Sequence, residues 1–395
     1  MKLLILSNYF TPDLSAGSFR MQGLVDALSA YREEGLEVDL ITTRPNRYAS
    51  LKAEAAAFED HGWLRVHRIE LPAHKSGMAD QARAYFSYVR GVRALTRKRR
   101  WDMVFATSSR LMTAGLGTNI ARRMKAPLYL DIRDLFTDNM KELLAGSPLK
   151  LLMPLFYGIE RYAFRSADRI NVVSEGFTDN IARLAPGLEP KIFTNGIDDL
   201  FLDTDFPVKG QNGELPLILY AGNQGEGQGL HRIIPEAAAL LKGKARIRLI
   251  GDGGRRKALE AALAASGLDN VEMIPPVPRA ELLEHYREAD ILFLHLNDLD
   301  AFRKVLPSKI FEYAATGKPV LAGVAGYAAK FLAEELPCAE VFAPLDAPAM
   351  VDAAHRLIAG PAQIDRARFR QTFSRRAIMR DMAADIMSAA SSTKS

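Results

Sequence analysis

The chain has 395 residues, of which 48% are hydrophobic and 25% charged, so it is long and apolar enough for two globular domains, and disorder is excluded. Its net charge of +5 is modest, and its one cysteine excludes an internal disulfide or a cysteine-rich metal site and indicates a reducing compartment. No apolar run approaches the roughly 20 residues of a transmembrane helix, so we expect a cytoplasmic protein.

Buried-type strands alternate with helical stretches along the first half of the chain. We predict helices between most of the strands, for example over 19–35 and 82–98. The strands are predicted at 3–7, 38–42, 66–70, 103–107, 128–132, 169–173 and 191–194. This alternation is typical of α/β domains with a doubly wound, mostly parallel sheet.

The loop after the first predicted strand contains Gly17 but neither G-x-G-x-x-G nor a Walker A sequence. Nicotinamide-dependent hydride transfer and P-loop hydrolysis therefore lack their usual support. Gly17 either permits close approach of a ligand to the backbone or is only a turn residue. The predicted strand at 128–132 is followed by Arg133 and Asp134, at the start of a loop, where functional residues usually lie; the Asp134 side chain could instead cap the following helix.

The segment between Asp80 and Asp102 is strongly basic and contains no acid. Three aromatic residues are interleaved with the charges. Its basic residues are Arg83, Arg90, Arg93, Arg97, Lys98, Arg99 and Arg100. One interpretation is a solvated helix face, and the other is a surface attracted to anionic lipid or to a pyrophosphate-bearing acceptor. No nucleic-acid-binding motif accompanies the charge, so we expect no nucleic acid partner.

The run at 149–165, LKLLMPLFYGIERYAFR, is rich in large apolar residues. A core helix is one interpretation of it. Its basic neighbours leave a second one open, a face that lies on a membrane without crossing it.

A second cycle of strands follows the segment 203–216, which is rich in proline and glycine and has no periodicity, as expected of a linker. Its strands are predicted at 217–221, 247–250, 271–274, 291–296, 320–322 and 340–342. We therefore predict a first domain over 1–205 and a second over 206–372. A ligand would bind in the cleft between them, at the carboxyl ends of the strands.

The first two loops of the second cycle are rich in glycine, and their backbone N–H groups could line an anion. The residues of interest there are Gly222, Asn223, Gln228, Gly251 and Gly253.

The segment 307–323, PSKIFEYAATGKPVLAG, has the pattern of a helix followed by a buried strand. With Pro307 at the first helical position, Ser308, Lys309 and the backbone N–H groups would face an anion. Glu312, on the next turn, could accept two hydrogen bonds from a ribose diol. A diphosphate and a ribose are both parts of a nucleotide, so the segment predicts a nucleotide site.

Two D-x-D sequences, at 298–300 and 203–205, resemble divalent-metal motifs but lack the surrounding pattern, so we interpret them as surface acids. The histidines show no metal-ligand spacing. We expect no catalytic metal and no other cofactor.

The ordered set of segments at 172–177, 193–201, 220–229, 249–254 and 307–323 resembles that of GT-B-fold retaining glycosyltransferases of family 4 (group 1). The sequences at 133–137 and 306–313 are similar to those of members that add N-acetylfucosamine or N-acetylhexosamines to polyprenyl-linked O-antigen or capsule precursors. The resemblance implies two Rossmann-like domains facing each other across a cleft. It implies a nucleotide-sugar donor, with UDP favoured, in the second domain.

The same resemblance implies a lipid-linked saccharide acceptor on the first domain, with Arg133, Arg90, Arg97 and Arg100 on its acceptor and membrane side. The enzyme would work at the cytoplasmic face of the inner membrane. A carboxyl-terminal helix at about 373–390 would pack back on the first domain. The donor's own phosphate would accept the acceptor proton, so no dedicated base is implied. Asp134 would then either orient the acceptor hydroxyl or only cap the following helix.

Residue by residue, Glu312 matches the second glutamate of the family's E-x7-E pair, which binds the nucleotide ribose. Lys304 stands at the place of the first glutamate, while Asn223 and Gln228 stand at the places of an arginine and a lysine that neutralise the diphosphate. Our hypothesis is that the positive charge that neutralises the diphosphate comes from other positions in this chain.

In that hypothesis Arg303, Lys304 and Lys309 stabilise the leaving diphosphate. Alternatively, Arg303 and Lys304 lie on a surface loop and have no such role. A nucleotide-sugar 2-epimerase of the same fold and a non-catalytic nucleotide-sugar-binding protein remain as alternative functions.

Overall fold

The computed structural model describes residues 1–13, 15–45, 55–72, 78–108, 111–144, 147–207 and 213–392. Its strands are β1 (Lys2–Leu6), β2 (Glu37–Thr43), β3 (Phe58–Asp60), β4 (Leu64–Ile69), β5 (Met103–Thr107), β6 (Leu128–Ile132), β7 (Arg169–Val172), β8 (Lys191–Ile192), β9 (Leu217–Ala221), β10 (Arg246–Ile250), β11 (Val271–Ile274), β12 (Ile291–His295), β13 (Val320–Gly323) and β14 (Ala339–Phe342).

The α-helices are α1 (Ala16–Leu28), α2 (Met78–Thr96), α3 (Leu111–Met124), α4 (Phe136–Leu143), α5 (Met153–Arg165), α6 (Thr178–Leu184), α7 (Asp199–Leu202), α8 (Leu230–Leu240), α9 (Arg256–Ser266), α10 (Arg279–Glu288), α11 (Lys309–Ala315), α12 (Tyr327–Glu335), α13 (Ala347–Ala359), α14 (Ala367–Thr372) and α15 (Arg375–Ser392). Short 3-10 helices lie at Ser29–Tyr31, Pro148–Leu152, Glu175–Phe177, Glu226–Gln228 and Asp300–Lys304. Among the helices of the described ranges, none is long and apolar enough to cross a bilayer.

The chain divides into two compact units. The first contains Met1–Asn195 and Arg375–Ser395, and the second contains Gly196–Ser374. The predicted boundary at 205 is therefore ten residues too late. The Ile197 N–H donates to the Phe373 carbonyl at 2.7 Å, and Phe201 is buried in the core of the second unit, so the stretch before 205 packs there. Residues 208–212 of the predicted linker lie outside the described residues.

The first unit is built on a sheet in the order β3-β4-β2-β1-β5-β6-β7-β8. Its strands are parallel except β3, which runs antiparallel to β4 at one edge. All five residues of β5 are buried, and so are all five of β6. Strands buried on both faces are typical of parallel sheets covered by helices. The predicted α/β class is confirmed.

The second unit has a fully parallel sheet in the order β11-β10-β9-β12-β13-β14. The strand order reverses at β9, which has β10 on one side and β12 on the other. In open α/β sheets a crevice forms at the carboxyl ends of the strands at such a reversal, and ligands bind there. The loops after β9, β10 and β12 are therefore the candidate site of this unit.

Helix α15 belongs to the first unit, where it packs on α1. Met379, Met382 and Ile386 of α15 are buried in the same core as Leu24 of α1. A Cβ built on Gly23 would come 3.3 Å from Met379, so the small residue permits close contact of the two helices. Helices α1 and α15, from opposite ends of the chain, thus share one hydrophobic core.

Candidate functional site

The two glycine loops of the second unit touch each other backbone to backbone. Gly222, after β9, has φ +147°, and Gly251, after β10, has φ +134°; both values favour glycine. A Cβ built on Gly251 would overlap the Gly222 carbonyl, and one built on Gly253 would lie 2.5 Å from the Gln224 backbone carbonyl carbon. These glycines are therefore required by the packing of the two loops, whether or not a ligand is bound.

Asn223 and Gln228, at the places where the resemblance leads one to expect cations, bind each other. The Asn223 side-chain amide donates to the Gln228 side-chain carbonyl at 2.7 Å, and the Gly225 N–H donates to the same oxygen at 3.3 Å. This neutral bridge closes the loop after β9. The loop itself contributes no cation at these two positions.

A cation reaches this loop from α11 instead. The Lys309 ammonium lies against the Cα of Gly222, since a Cβ built there would overlap it, and it lies 5.7 Å from the centre of the Tyr220 ring. The helix begins at Lys309 with Ser308 as its N-cap, so the prediction that it begins at Pro307 is wrong by two residues. Because α11 is only seven residues long, the charge argument rests on the Lys309 ammonium and not on the helix terminus.

Glu312 is half-buried on the first turn of α11. The neighbouring Tyr313 fixes the helix to the sheet, because its hydroxyl accepts a hydrogen bond from the Ala221 N–H at the end of β9 at 3.3 Å. Burial raises the pKa of Tyr313, and the Glu312 carboxylate nearby adds to that shift. Lys309 and Glu312 are thus held at the carboxyl end of β9 by a buried tyrosine.

Arg303 already has carboxylate partners. Its guanidinium lies 3.1 Å from Asp298 and 3.6 Å from Asp300, and all three side chains are exposed. One of the two D-x-D sequences is therefore an exposed ion-pair cluster. Lys304 is half-buried and ends the 3-10 helix Asp300–Lys304, which also contains Arg303. Within the described part of the chain, no group of three or more His, Cys, Asp or Glu side chains is arranged to hold a metal ion.

His295, which was not predicted from the sequence, supports the loop after β9. Its Nδ1 lies 2.6 Å from the Gln228 carbonyl, and its Nε2 accepts a hydrogen bond from the Leu345 N–H at 3.0 Å. Nδ1 therefore carries the proton of a neutral imidazole. Burial lowers the pKa of His295 to about 4. The signal in the sequence was a histidine that ends an otherwise apolar buried strand, ILFLH.

A buried ion pair at the end of β6 was also missed. Arg20 of α1 donates from Nη2 and Nε to the two carboxylate oxygens of Asp131 at 2.9 and 3.1 Å. The same guanidinium donates to the carbonyls of Phe193 and Thr194 at 2.8 Å each. Asn171 adds a hydrogen bond to Asp131 at 2.7 Å. Arg20 thus joins the end of β6 to the stretch just before the chain leaves the first unit, and Asp131, as its counter-charge, is committed to a structural role.

Gly17, Arg133 and Asp134 lie on the loops that follow β1 and β6. A Cβ built on Gly17 would overlap the Arg133 guanidinium, so the glycine makes room for that cation. Burial lowers the pKa of Arg133 to about 10, although Asp131 opposes the shift, and the group stays charged at neutral pH. Asp134 accepts a hydrogen bond from Asn139 at 2.7 Å. Loss of hydration raises the pKa of Asp134, and the hydrogen bond from Asn139 and the charge of Arg133 oppose that shift.

Arg90 lies on the exposed side of α2, and Arg97 and Arg100 follow the end of that helix, also exposed. The aromatic residues between the basic ones belong to the core in part. Tyr88 is buried, while the Tyr85 hydroxyl donates to the Met112 carbonyl at 2.6 Å. The basic surface is therefore confirmed as exposed, and most of its aromatic interleaving has a packing origin.

The comparisons with known proteins agree over most of the chain. The family model for a glycosyl transferase 4-like domain matches residues 22–192, and that for glycosyl transferases group 1 matches residues 202–376. WcaI of Escherichia coli (strain K12), named for glycosyl transfer in colanic acid biosynthesis, is 25% identical over 340 residues, which cover 80% of this chain and 82% of that one.

Two solved structures share the fold. Sucrose-phosphate synthase from Thermosynechococcus elongatus has a TM-score of 0.76 at 16% identity and covers 98% of each chain. HepE of Anabaena, solved with UDP-glucose, has a TM-score of 0.67 at 16% identity, covering 98% of this chain and 100% of that one.

Proposed function

Since its two halves are a glycosyl transferase 4-like domain and a glycosyl transferases group 1 domain, the chain is a glycosyltransferase of the GT-B fold, and we propose that it moves a sugar from a nucleoside-diphosphate donor to a polyprenyl-linked saccharide. The proposed donor is a UDP-linked N-acetylated or deoxy hexose, transferred with retention in cell-surface polysaccharide synthesis. WcaI is named for glycosyl transfer in colanic acid biosynthesis, which supports the proposed role in polysaccharide synthesis. HepE was solved with UDP-glucose, which supports UDP as the nucleotide of the donor.

The observation that carries the proposal is the contact of Lys309 with Gly222, with Glu312 on the same short helix. The contact lies at the strand reversal of the second unit, where ligands of open α/β sheets bind. An ammonium at the loop can stabilise the negative charge that develops on the leaving diphosphate, and the Glu312 carboxylate can accept hydrogen bonds from the ribose hydroxyls. Because the neutral Asn223–Gln228 bridge stands where the resemblance leads one to expect cations, the loop after β9 depends on Lys309 for positive charge near the diphosphate.

Lys304 joins Lys309 in the proposed donor site, whereas Arg303 is assigned to its aspartate partners. Ser308 precedes α11, and Gly251 and Gly253 keep the second loop close to the first. In the first unit, Arg133 forms the proposed acceptor side, and Gly17, which we predict to approach the donor, makes room for its guanidinium. Asp134 there orients the acceptor hydroxyl while the donor phosphate takes its proton. No metal or other cofactor is part of the proposal.

The acceptor is proposed to be lipid-linked and the enzyme to work at the cytoplasmic face of the inner membrane. The exposed cations Arg90 of α2 and Arg97 and Arg100 just after it support this, since cations close together in the chain attract anionic lipid headgroups.

The test combines binding and turnover. A thermal-shift screen of uridine, guanosine and other nucleoside diphosphates identifies the base, since a ligand at a hundred times its dissociation constant adds about 2.7 kcal/mol of stability. Transfer of labelled sugar to a polyprenyl-pyrophosphate saccharide then measures catalysis. Conversion of the donor sugar to an epimer without acceptor would contradict the proposal, and so would nucleotide binding without turnover on any such acceptor.

A further inference from the structure

Exposed large apolar side chains are scattered singly over the described residues, except in one segment. We call this segment the leucine face; it comprises Leu149, Leu151, Leu152 and Leu155, of which Leu151 is 86% and Leu155 59% exposed. Single exposed apolar residues are normal, but a contiguous group marks an interaction site. The scattered ones outside this region are Phe58, Phe86, Ile192, Leu215, Leu240 and Ile358.

The leucine face is the outward side of a well-packed helix. Leu151, Leu155, Gly158 and Tyr162 follow one another at helical spacing and are all exposed, so they share one side of the 3-10 helix Pro148–Leu152 and α5. The opposite side of α5 is buried, and Ile159 packs closely on Gly115 of α3. The leucines are therefore held outward by packing.

The exposed charges on the segment that carries the leucine face have one sign. Lys150, Arg161 and Arg165 are exposed on the same segment. The single acid between residues 143 and 167 is Glu160, which is buried and whose pKa is raised by that burial. An apolar helix side with cations and no exposed carboxylate on its own segment is complementary to an anionic bilayer, which offers hydrocarbon below a layer of negative headgroups.

We propose that the leucine face inserts into the headgroup region of an anionic lipid bilayer and holds the first unit there without crossing it. The inference deepens the proposed function and rests on it, because a polyprenyl-linked acceptor lies in such a bilayer. Phe156 of α5 packs edge-to-face on Phe136 of α4 with ring centres 5.6 Å apart. Helix α4 begins just after Asp134, so insertion brings the Asp134 loop to the membrane surface.

The test is co-sedimentation of the purified full chain with vesicles of phosphatidylcholine alone or mixed with phosphatidylglycerol, without nucleotide or acceptor. We expect binding to the anionic vesicles, weakened about tenfold or more by the double substitution Leu151→Glu and Leu155→Glu. The matched control is Leu240→Glu with Ile358→Glu, which adds the same charge at exposed apolar residues of the second unit and should leave binding unchanged. Equal binding of wild type and the Leu151/Leu155 variant would overturn the proposal.

A second measurement reports insertion directly. The added tryptophan emission of Leu151→Trp should shift to the blue with anionic vesicles, and an unshifted emission would count against insertion. Ultracentrifugation without lipid tests the other occupant, a second copy of the chain. Self-association that the Leu151/Leu155 double variant abolishes would replace the membrane with a dimer.

Because vesicle binding needs no substrate, it can succeed where sugar transfer fails, and the two proposals are tested separately. The double variant should also transfer sugar to a detergent-solubilised acceptor at the wild-type rate. A rate that falls in detergent would place these leucines in the catalytic site and overturn their role as a membrane anchor.

Discussion

Removal of the Lys309 ammonium should slow sugar transfer far more than it destabilises the fold. The side chain is half-buried and lies against Gly222, in the loop whose other cation positions are occupied by a neutral pair. Two unit charges about 4 Å apart interact by about 4 kcal/mol at an effective dielectric constant of 20. Loss of one preorganised stabilising group costs an enzyme about 100- to 1,000-fold in kcat. We expect a fall of that size in Lys309→Ala.

The structure supplies a second variant that moves the ammonium without removing it. A Cβ on Gly222 would lie closer than 3.0 Å to Lys309 Nζ, and the φ of +147° already disfavours alanine there. Gly222→Ala should therefore reduce kcat in the same way. Gly222→Ala combined with Lys309→Ala should lower kcat by less than the product of the two single effects, because part of the effect of Gly222→Ala is displacement of the same ammonium.

The assay is initial-rate transfer from the nucleotide sugar identified by thermal shift. Lys330→Ala controls for loss of an exposed lysine in the same unit, and Gly158→Ala, where a Cβ meets nothing within 4 Å, controls for added bulk. Both should keep the wild-type rate toward a soluble acceptor. The reasoning is refuted if Lys309→Ala changes kcat less than severalfold, or if the two site variants lower kcat by independent factors.

Three further outcomes follow from the site and its support. Glu312→Gln should weaken nucleoside diphosphate binding by about tenfold or more in calorimetry, because hydrogen bonds to a charged group contribute about 1.5–3 kcal/mol. The matched control Glu281→Gln, at an exposed glutamate, should leave the affinity unchanged. Equal affinity of the two variants would contradict the ribose role of Glu312. Asp131→Asn should lower the free energy of unfolding in urea by about 3–5 kcal/mol, because it leaves a buried guanidinium without its counter-charge, while the exposed Asp381→Asn should cost less than about 1 kcal/mol. His295 has an ordinary pKa of 6.5 and a folded pKa of about 4, so at a pH between these values it gains a proton when the protein unfolds. Because the unfolded state then binds more protons, the free energy of unfolding falls as the pH drops through this range. The loss approaches roughly 3 kcal/mol near pH 4 and should be absent in His295→Gln, and identical pH profiles of the two proteins would exclude it.

The strands could be predicted because parallel central strands are buried on both faces and appear as short apolar runs. The predicted ranges 103–107, 128–132 and 271–274 coincide with β5, β6 and β11. The strand that was missed, β3, is three residues long, partly exposed and paired only at an edge, so it leaves no apolar run. Helix starts were less accurate, because the first turn depends on capping contacts more than on periodicity.

The sequence by itself determined the α/β class, the order of the glycine loops and the proximity of Lys309 and Glu312 on one helix, because all of these depend on residues near one another in the chain. Tertiary structure alone decided that Lys309 meets Gly222, because the two residues are far apart in the chain. The pairing of Asn223 with Gln228 and that of Arg303 with its aspartates are local, but they depend on loop conformations that the residue pattern did not show. Tertiary structure also decided that Arg20 and His295 are buried, since an isolated arginine or histidine shows its environment only when distant segments close around it. For Arg20 those segments include α15, from the far end of the chain, whose Met382 sulfur lies 3.4 Å from the guanidinium.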